Sequence, residues 1–523
     1  MPLITYPLDP AVLGSYIPDT DQLYNALDCC ATAEIFLEVS RIYGTDSPVY
    51  SFERALQGPV LEIANRGWLI DEEERRRGIK DLTTERARYE KILQRLAFAV
   101  WDKPLNPNSP KQLVEFFYDW MNIPKIWTSE KGERKLKMDR DTLEKLEVYM
   151  LARPIIACIL AIRDLSKQIQ VFETAIDSDQ RMRFSLNIGG TTTGRFSSSA
   201  SSSGTGRNIQ NIDEVLRRMF IADADWKLCG IDLEQAESRE VGWLLGILFN
   251  DWTYLNACYS GDLHTIVCKL VWPELPWTGD AKADKAIAER EYYRGFSYRD
   301  MSKRAGHASN YGGSAWTISR ALKLPMAVIE AFQERYYSAF PAILEWHKWV
   351  RKQLAETHML TTPFGRTRHF FGRSDDDSTV REAIAYSPQS STADRMNLGL
   401  WRTWHKFGPK SPTPVRLLAQ VHDAIYFLYR PKDEPIIIPA VLEQISVPMT
   451  HPSGNTLIVP GEAKIGWNWG NAWTQEMENA AAKRSADANI PHIPKRLNTL
   501  GLQKFKPGQP DTRRRAEGLD YVF

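Results

Sequence analysis

The sequence predicts an α+β protein of several domains, and three observations carry that prediction. The chain has 523 residues, enough for more than one domain of about 100–200 residues each. Long charged stretches with helical apolar spacing occupy much of it, as in residues 51–99 and 141–175. Short runs rich in β-branched, aromatic and aliphatic residues stand apart from them, at Leu228–Leu233, Val415–Val421 and Ala424–Tyr429.

Composition adds limits rather than a function. A hydrophobic fraction of 43% and a charged fraction of 25% are ordinary for a globular protein. No run of about 18 apolar residues occurs, which argues against a membrane span, and MPLITYPLDP has no basic segment leading into an apolar one. The six cysteines are scattered, without a CxxC pair, so reduced, buried thiols in a cytoplasmic protein are expected. Net charge is +1, so the distribution of charge matters more than its sum. Basic residues gather in residues 133–140, around Arg299–Arg304 and in the C-terminal 50 or so residues. The 17 tryptophans are better explained as core and interface residues than as stacking platforms.

In chain order, residues 51–99 read as a helix pair broken at Gly67, with GWLID as a short extended turn. Asn106–Pro110 is a loop capping the helix KQLVEFFYDW, and SEKGERKLK is a basic loop. A long helical stretch from Asp141 to about Ala175 is interrupted near Pro154. Gly189–Asn211 is rich in Gly, Ser and Thr, which alone would suggest a flexible linker. Arg195, Arg207, Asn208, Gln210 and Asn211 are interleaved with those small residues, however, and such donors suit a sugar-phosphate backbone. Residues 471–523 are polar and basic with weak periodicity and read as an extended or partly disordered tail.

Three constellations carry the chemistry. In LCGIDLEQAESREVGWLLGIL, Leu228–Leu233 reads as a buried strand and Gln235 onward as a helix, leaving Asp232 at a strand end. A lone Asp there is more often a helix cap. In VRLLAQVHDAIYFLYR, two apolar strands flank His422–Asp423, the pattern of a β-hairpin with His-Asp at its turn; Asp is common in turns for its own sake. Two carboxylates from separate strands meeting in one cleft are what two-metal phosphoryl transfer needs, with metals about 3.5–4 Å apart. Magnesium takes oxygen ligands and keeps waters, so few carboxylates suffice. In RDMSKRAGHASNYGG, Arg299, Lys303, His307 and Tyr311 recur every four residues and form one helical stripe. Two cations at one end and flat rings at the other suit a nucleotide; a solvated basic face is the plainer alternative.

Together and in this order, these segments resemble family A (Pol I-like) DNA polymerases, phage-encoded members in particular. Asp232-x-x-Gln-x-Glu-x-Arg239 resembles motif A of the family, Arg299-x3-Lys303-x7-Tyr311-Gly312 motif B, and Gln420-Val-His-Asp423 motif C. Thr193-Gly-Arg195 followed by Asn208-Ile-Gln210-Asn211, Asp262-Leu-His264-Thr265, Gly365-Arg366-Thr-Arg368 and Gln389…Ala393-Asp394 extend the match, which runs from about Ser51 to Trp469.

The resemblance implies a right-hand fold: thumb (49–180), palm with an antiparallel sheet (181–245 and 351–470) and helical fingers (246–350), then a basic C-terminal extension (471–523). It implies a DNA polymerase extending a primer 3′ end with dNTPs on primer-template DNA, in the replication or repair of phage DNA. Two Mg²⁺ ions, with Mn²⁺ as a substitute, would be held by Asp232, the Leu233 backbone and Asp423. Gln235, His264, Arg299, Lys303, His307 and Tyr311 would bind the nucleotide, and Glu237 would exclude a ribose 2′-OH. Arg195, Asn208, Gln210, Asn211, Arg366, Gln389, Gln420 and His422 would contact DNA.

Departures are visible. His307 stands where Phe or Tyr is usual, which bears on selection between deoxy and dideoxy sugars; Leu233, Ala424 and Ala385 stand where Tyr, Glu and Asn are common. Tyr24-x3-Asp28 resembles the last motif of the family's 3′–5′ exonuclease, so residues 1–48 are expected to be a remnant of that domain, without proofreading of its own. A separate exonuclease subunit or replisome proteins would be partners of an otherwise monomeric enzyme in the cytoplasm, the host's for a phage protein. Residues 127–137 are too short for a processivity-factor insertion. The rival readings are a single-subunit RNA polymerase-like enzyme, against which Glu237 argues, and a catalytically inactive DNA-binding protein on the same scaffold.

Overall fold

The computed structural model describes residues 20–130, 133–293, 295–487, 495–509 and 511–513. At its centre, five strands form one antiparallel sheet: β1 (Lys227–Leu233), β2 (Arg416–Val421), β3 (Ala424–Tyr429), β4 (Gly461–Gly466) and β5 (Gln503–Lys504), in the order β2-β3-β1-β4-β5. Leu228, Cys229, Ile231, Leu417, Leu418, Ile425 and Phe427 are at most 1% exposed, so both faces of the inner strands are covered. That explains why these segments read as continuous apolar runs instead of alternating ones. Gly230 lies opposite Tyr426 in the register, and a Cβ there would come within 2.6 Å of the Tyr426 ring. Only glycine lets that ring cross the strand.

Helices surround the sheet and build two further cores. One gathers residues between Val241 and Tyr386, including Met301, Phe332 and Trp346. It takes in the helices α1 (Ala236–Phe249), α2 (Leu263–Val271), α3 (Tyr298–Asn310) and the start of the 31-residue α4 (Asp377–Phe407). The other lies between Leu93 and Ile162, where the helices Glu72–Trp101 and Arg153–Phe172 pack along each other. The architecture is the mixed helix-and-strand arrangement expected of the fold class. Among the described residues no helix is long and apolar enough to cross a membrane.

Several local expectations are corrected. The helix pair of residues 51–99 is three helices, Pro48–Ala55, Gln57–Arg66 and Glu72–Trp101, and GWLID contributes a true strand, Trp68–Ile70, after Gly67 at φ +63°. KQLVEFFYDW starts as a short α-helix and continues as a π-helix over Glu115–Trp120. Phe116, Phe117 and Tyr118 are all buried, and the wider π winding turns three consecutive aromatics toward one core. SEKGERKLK is part of a hairpin, Trp127–Glu130 with Glu133–Leu136, rather than a loop. Within 189–211, Ser197–Ala200 pairs with Phe184–Asn187, so this stretch is not a linker.

The largest correction concerns the tail. Gln475–Asp487 is helical, and β5 joins the edge of the central sheet through Lys464↔Lys504 and Ile465↔Gln503. The Asp511 side chain, 2% exposed, lies 3.0 Å from the Lys227 ammonium, which also donates to Glu434 at 2.7 Å. A buried charge is tolerable only with such partners, so the segment is anchored from inside the sheet. Residues 488–494, 510 and 514–523, with Arg514 and Arg515 of the expected basic run, lie outside the described residues.

Residues up to Ala55 form a separate unit. Its described part is the helix Thr20–Tyr43 followed by Pro48–Ala55, with Tyr24 65% exposed and Asp28 also exposed on the first helix. Cys29 and Cys30 sit on that helix and are exposed, unlike the four buried cysteines, because its apolar residues face solvent around much of its circumference. Residues 1–19 lie outside the described residues.

Candidate active site

The sheet delivers Asp232 and Asp423 to one place. β3 pairs with β1 so that Ala424 stands opposite Asp232, and the Leu233 N–H donates to the Asp423 carbonyl at 3.1 Å. His422 and Asp423 form a two-residue hairpin loop between Val421 and Ala424, with His422 left-handed at φ +53°. A non-glycine residue held there costs about 1–2 kcal/mol. The Gln420 side chain braces the turn, donating from Nε2 to the His422 carbonyl at 2.6 Å. On the other side, β1 ends at Leu233, Gln235 turns left-handed at φ +53°, and α1 begins.

Electrostatics make the pair unusual. Asp232 is open to the cleft, yet the protein around it displaces water, and Asp423 adds a like charge, so its carboxyl is pushed up to about 6. Burial also raises Asp423, against the pull of Arg195. Arg195 donates from Nη2 to Glu237 at 2.6 Å and approaches Asp423 at 3.4 Å. Burial disfavours its charge, but Asp423 and Glu237 more than compensate. Glu237, in the first turn of α1, also receives the Tyr311 hydroxyl at 2.6 Å. Glu237 is thereby clamped between a guanidinium and a phenol.

The stripe predicted on Arg299, Lys303, His307 and Tyr311 exists: α3 carries the first three and ends at Tyr311, whose ring meets His307 edge-on at 5.0 Å. Lys303 and His307 are exposed. Arg299 makes a bidentate pair with Asp262, both bonds 2.8 Å, and Asp262 also accepts from Thr265 at 2.7 Å. Burial and the Arg299 charge push His264, two residues on, down to about 4, so it is neutral at pH 7.

The expected DNA-contacting residues divide. Arg195, Gln420 and His422 adjoin the carboxylates. Asn208 accepts from the Gln210 N–H at 2.8 Å and Gln210 donates to the Phe196 carbonyl at 3.1 Å, so both shape their own loop; Asn211 is exposed. Arg366 is turned inward, paired with Asp394 at 2.7 Å, and packs under Gly194, where a Cβ would meet its guanidinium at 2.8 Å. The Asn397 amide holds the Gly194 carbonyl at 3.0 Å. Gln389 is half-buried on α4.

Sequence reasoning assigned no role to Asp262, Asn397 or the fully buried pair Glu240–Arg395, 2.9 Å apart, which ties α1 to α4. Asp262 had a signal, its place two residues before His264; the others carry none in a single sequence.

No group of three or more His, Cys, Asp and Glu side chains that could cage a metal occurs among the described residues. Asp232, Asp423 and the Leu233 carbonyl are all hard oxygen donors, and the two carboxylates carry more negative charge than Arg195 offsets. Among the described residues, the buried oxygens of Gln235 and Gln420 and the Arg195 Nε also lack a hydrogen-bond partner. The donor set fits a hard divalent cation that brings its own waters or ligand oxygens.

Comparison with known proteins agrees with this architecture. The sequence profile of DNA polymerase family A matches residues 76–475. DNA polymerase I of Helicobacter pylori is 28% identical over 360 residues, 66% of this chain and 36% of the relative. The thermostable DNA polymerase I of Thermus aquaticus is 27% identical over 436 residues, 79% of this chain and 47% of the relative. The chain thus spans less than half the length of these curated relatives. A solved structure, the POL domain of Pol1 from M. smegmatis in complex with DNA primer-template and dNTP, superposes with a TM-score of 0.64 at 22% identity, covering 80% of this chain and 69% of that one. With the profile matched over most of its length, the chain belongs to DNA polymerase family A.

Proposed function

We propose that this chain is a DNA-directed DNA polymerase that extends a primer 3′ end with dNTPs. The observation that carries the proposal is the meeting of Asp232 and Asp423 across β1 and β3, beside the clamped Glu237. Family membership and the fold shared with a polymerase domain support it.

In this reading Asp232, the Leu233 carbonyl and Asp423 hold Mg²⁺, in two sites, with Mn²⁺ as a substitute. Bound there, the cations supply charge stabilisation for the attacking and leaving oxygens. Arg299, Lys303 and neutral His264 receive the triphosphate, while His307, Tyr311 and Gln235 lie beside sugar and base. Glu237, fixed from two sides, fills the space a ribose 2′-hydroxyl would need. Arg195, Gln420 and His422 meet the primer terminus; Asn208, Gln210, Asn211 and Gln389 adjoin the duplex, with Arg366 supporting Arg195 from below. Primer-template DNA and dNTPs are the partners, and the likeness of the motifs to phage members favours a role in phage DNA replication or repair.

The test is extension of a labelled primer-template by the purified chain with Mg²⁺ and either dNTPs or NTPs. Template-directed extension with dNTPs alone is expected. Extension with NTPs as readily would favour the RNA polymerase-like alternative, and tight DNA binding without extension would favour an inactive scaffold.

A further inference from the structure

The end of the sheet remote from Asp232 and Asp423 carries a second polar feature, one to which the proposed function gives no role. Trp226 precedes β1, Arg416 opens β2 and Arg430 follows β3, so all three meet at one end of the sheet. Trp226 is six residues from Asp232, about 20 Å along extended chain. A groove of about 770 Å³ opens there, within the range of small-ligand sites.

Its chemistry is cationic and fixed. The guanidiniums of Arg416 and Arg430 stack on the buried Trp226 ring, 4.0 and 4.4 Å from its centre, which holds both in place. Arg66 and Lys432 complete four cations; Asp225 and Asp433 line the groove beside them, and Arg66 is already paired with Glu62 at 2.8 Å, so the free positive charge lies on Arg430 and Lys432. Compensation is incomplete. Asp223, which accepts from Arg416 at 3.1 Å, also accepts from Arg181 at 2.7 Å, so one carboxylate serves two guanidiniums. Arg430 and Lys432 have no ion-pair partner among the described residues. Burial and the charges of Arg66 and Arg430 lower the affinity of Arg416 for its proton, despite Asp223. Four prolines line the groove and stiffen it, so little order remains to be imposed on binding.

We propose that this groove is a phosphate-binding site separate from the active site, in which Arg416, Arg430 and Lys432 take the phosphates of a polyphosphate or of a nucleic-acid backbone. Arginine forks held by stacking match phosphate oxygens in geometry as well as charge. The flat faces of Trp226 are already covered by the guanidiniums, so recognition rests on phosphate and not on base stacking.

The test uses the full chain without divalent metal. Tripolyphosphate binding is measured by calorimetry for the wild type, R430Q/K432Q and R299Q/K303Q. Binding of a fluorescein-labelled single-stranded oligodeoxynucleotide is followed by anisotropy against salt. The proposal expects R430Q/K432Q to weaken one tripolyphosphate site at least tenfold, a site that R299Q/K303Q retains. Unchanged oligonucleotide binding would identify free polyphosphate as the ligand; a salt slope shallower by about 1.4, two contacts fewer, would identify the strand. The charge-preserving R430K/K432R, which gives up the stacked fork at 430, should bind more weakly than wild type and more tightly than R430Q/K432Q, and matching melting curves show that the fold is intact. If both probes bind R430Q/K432Q within twofold of wild type, the proposal is wrong.

Discussion

Tyr311→Phe removes one of the two bonds that hold Glu237, and the structure sets the size of the effect. The phenol donates to Oε2 at 2.6 Å while Arg195 donates to Oε1 at 2.6 Å, and the Glu237 side chain is only 17% exposed. A hydrogen bond to a charged group is worth about 1.5–3 kcal/mol. Arg195 remains in the variant and water can replace part of the loss, so the lower end applies, about 1.5 kcal/mol or about tenfold. Under the proposed role of Glu237, the freed carboxylate no longer blocks a 2′-hydroxyl as firmly. Discrimination between a dNTP and its matched NTP should fall about tenfold in Y311F and further, by about a hundredfold, in E237A. Single-turnover insertion of each nucleotide on one primer-template measures this as a ratio of kcat/KM values. If both variants keep the wild-type ratio within twofold, Glu237 is not the discriminating group.

Other consequences follow from named contacts. Asp262→Asn replaces a bidentate ion pair with weaker bonds and frees Arg299 to move; KM for dNTP should rise about tenfold with a smaller change in kcat, read by steady-state kinetics. His264 has its folded-state pKa pushed down to about 4, below the ordinary 6.5, so the unfolded chain binds the proton first as pH falls. That costs stability between pH 6.5 and 4, by at most about 3 kcal/mol, and H264Q should lose less Tm than wild type between pH 7 and 4.5. Asp511→Ala leaves the buried Lys227 with Glu434 alone; a loss of roughly 3 kcal/mol and faster proteolytic release of the segment after Trp473 are expected, with an unchanged melting curve as the contrary result.

How far the sequence could be read depended on whether the determinants were local. β1, β2 and β3 were legible because each is a buried apolar run bounded by turn residues, and the His422–Asp423 hairpin because its two strands are consecutive. The α3 stripe needed only a four-residue spacing. The segment after residue 471 was not legible: β5 has two residues, and its anchor is a charge pair between Asp511 and Lys227, far apart in sequence. The π-helix of residues 115–120 was hidden for the same reason, since its winding answers to a core assembled from Leu93 to Ile162. At the candidate site, the position of both carboxylates at the ends of paired strands was legible from the apolar runs that flank them. The inward turn of Arg366 toward Asp394, the bracing of Arg299 by Asp262 and the Glu240–Arg395 tie join distant segments that no local pattern connects.

The most direct test of the central claim is single-turnover primer extension by Asp232→Asn and Asp423→Asn beside the wild type, with primer-template affinity measured on the same samples. Both substitutions keep the size of the side chain while replacing one carboxylate oxygen by an amide NH2 and removing the charge. The account predicts that each lowers the extension rate at least a thousandfold while DNA affinity stays within about threefold. Extension at near wild-type rate in either variant would contradict it.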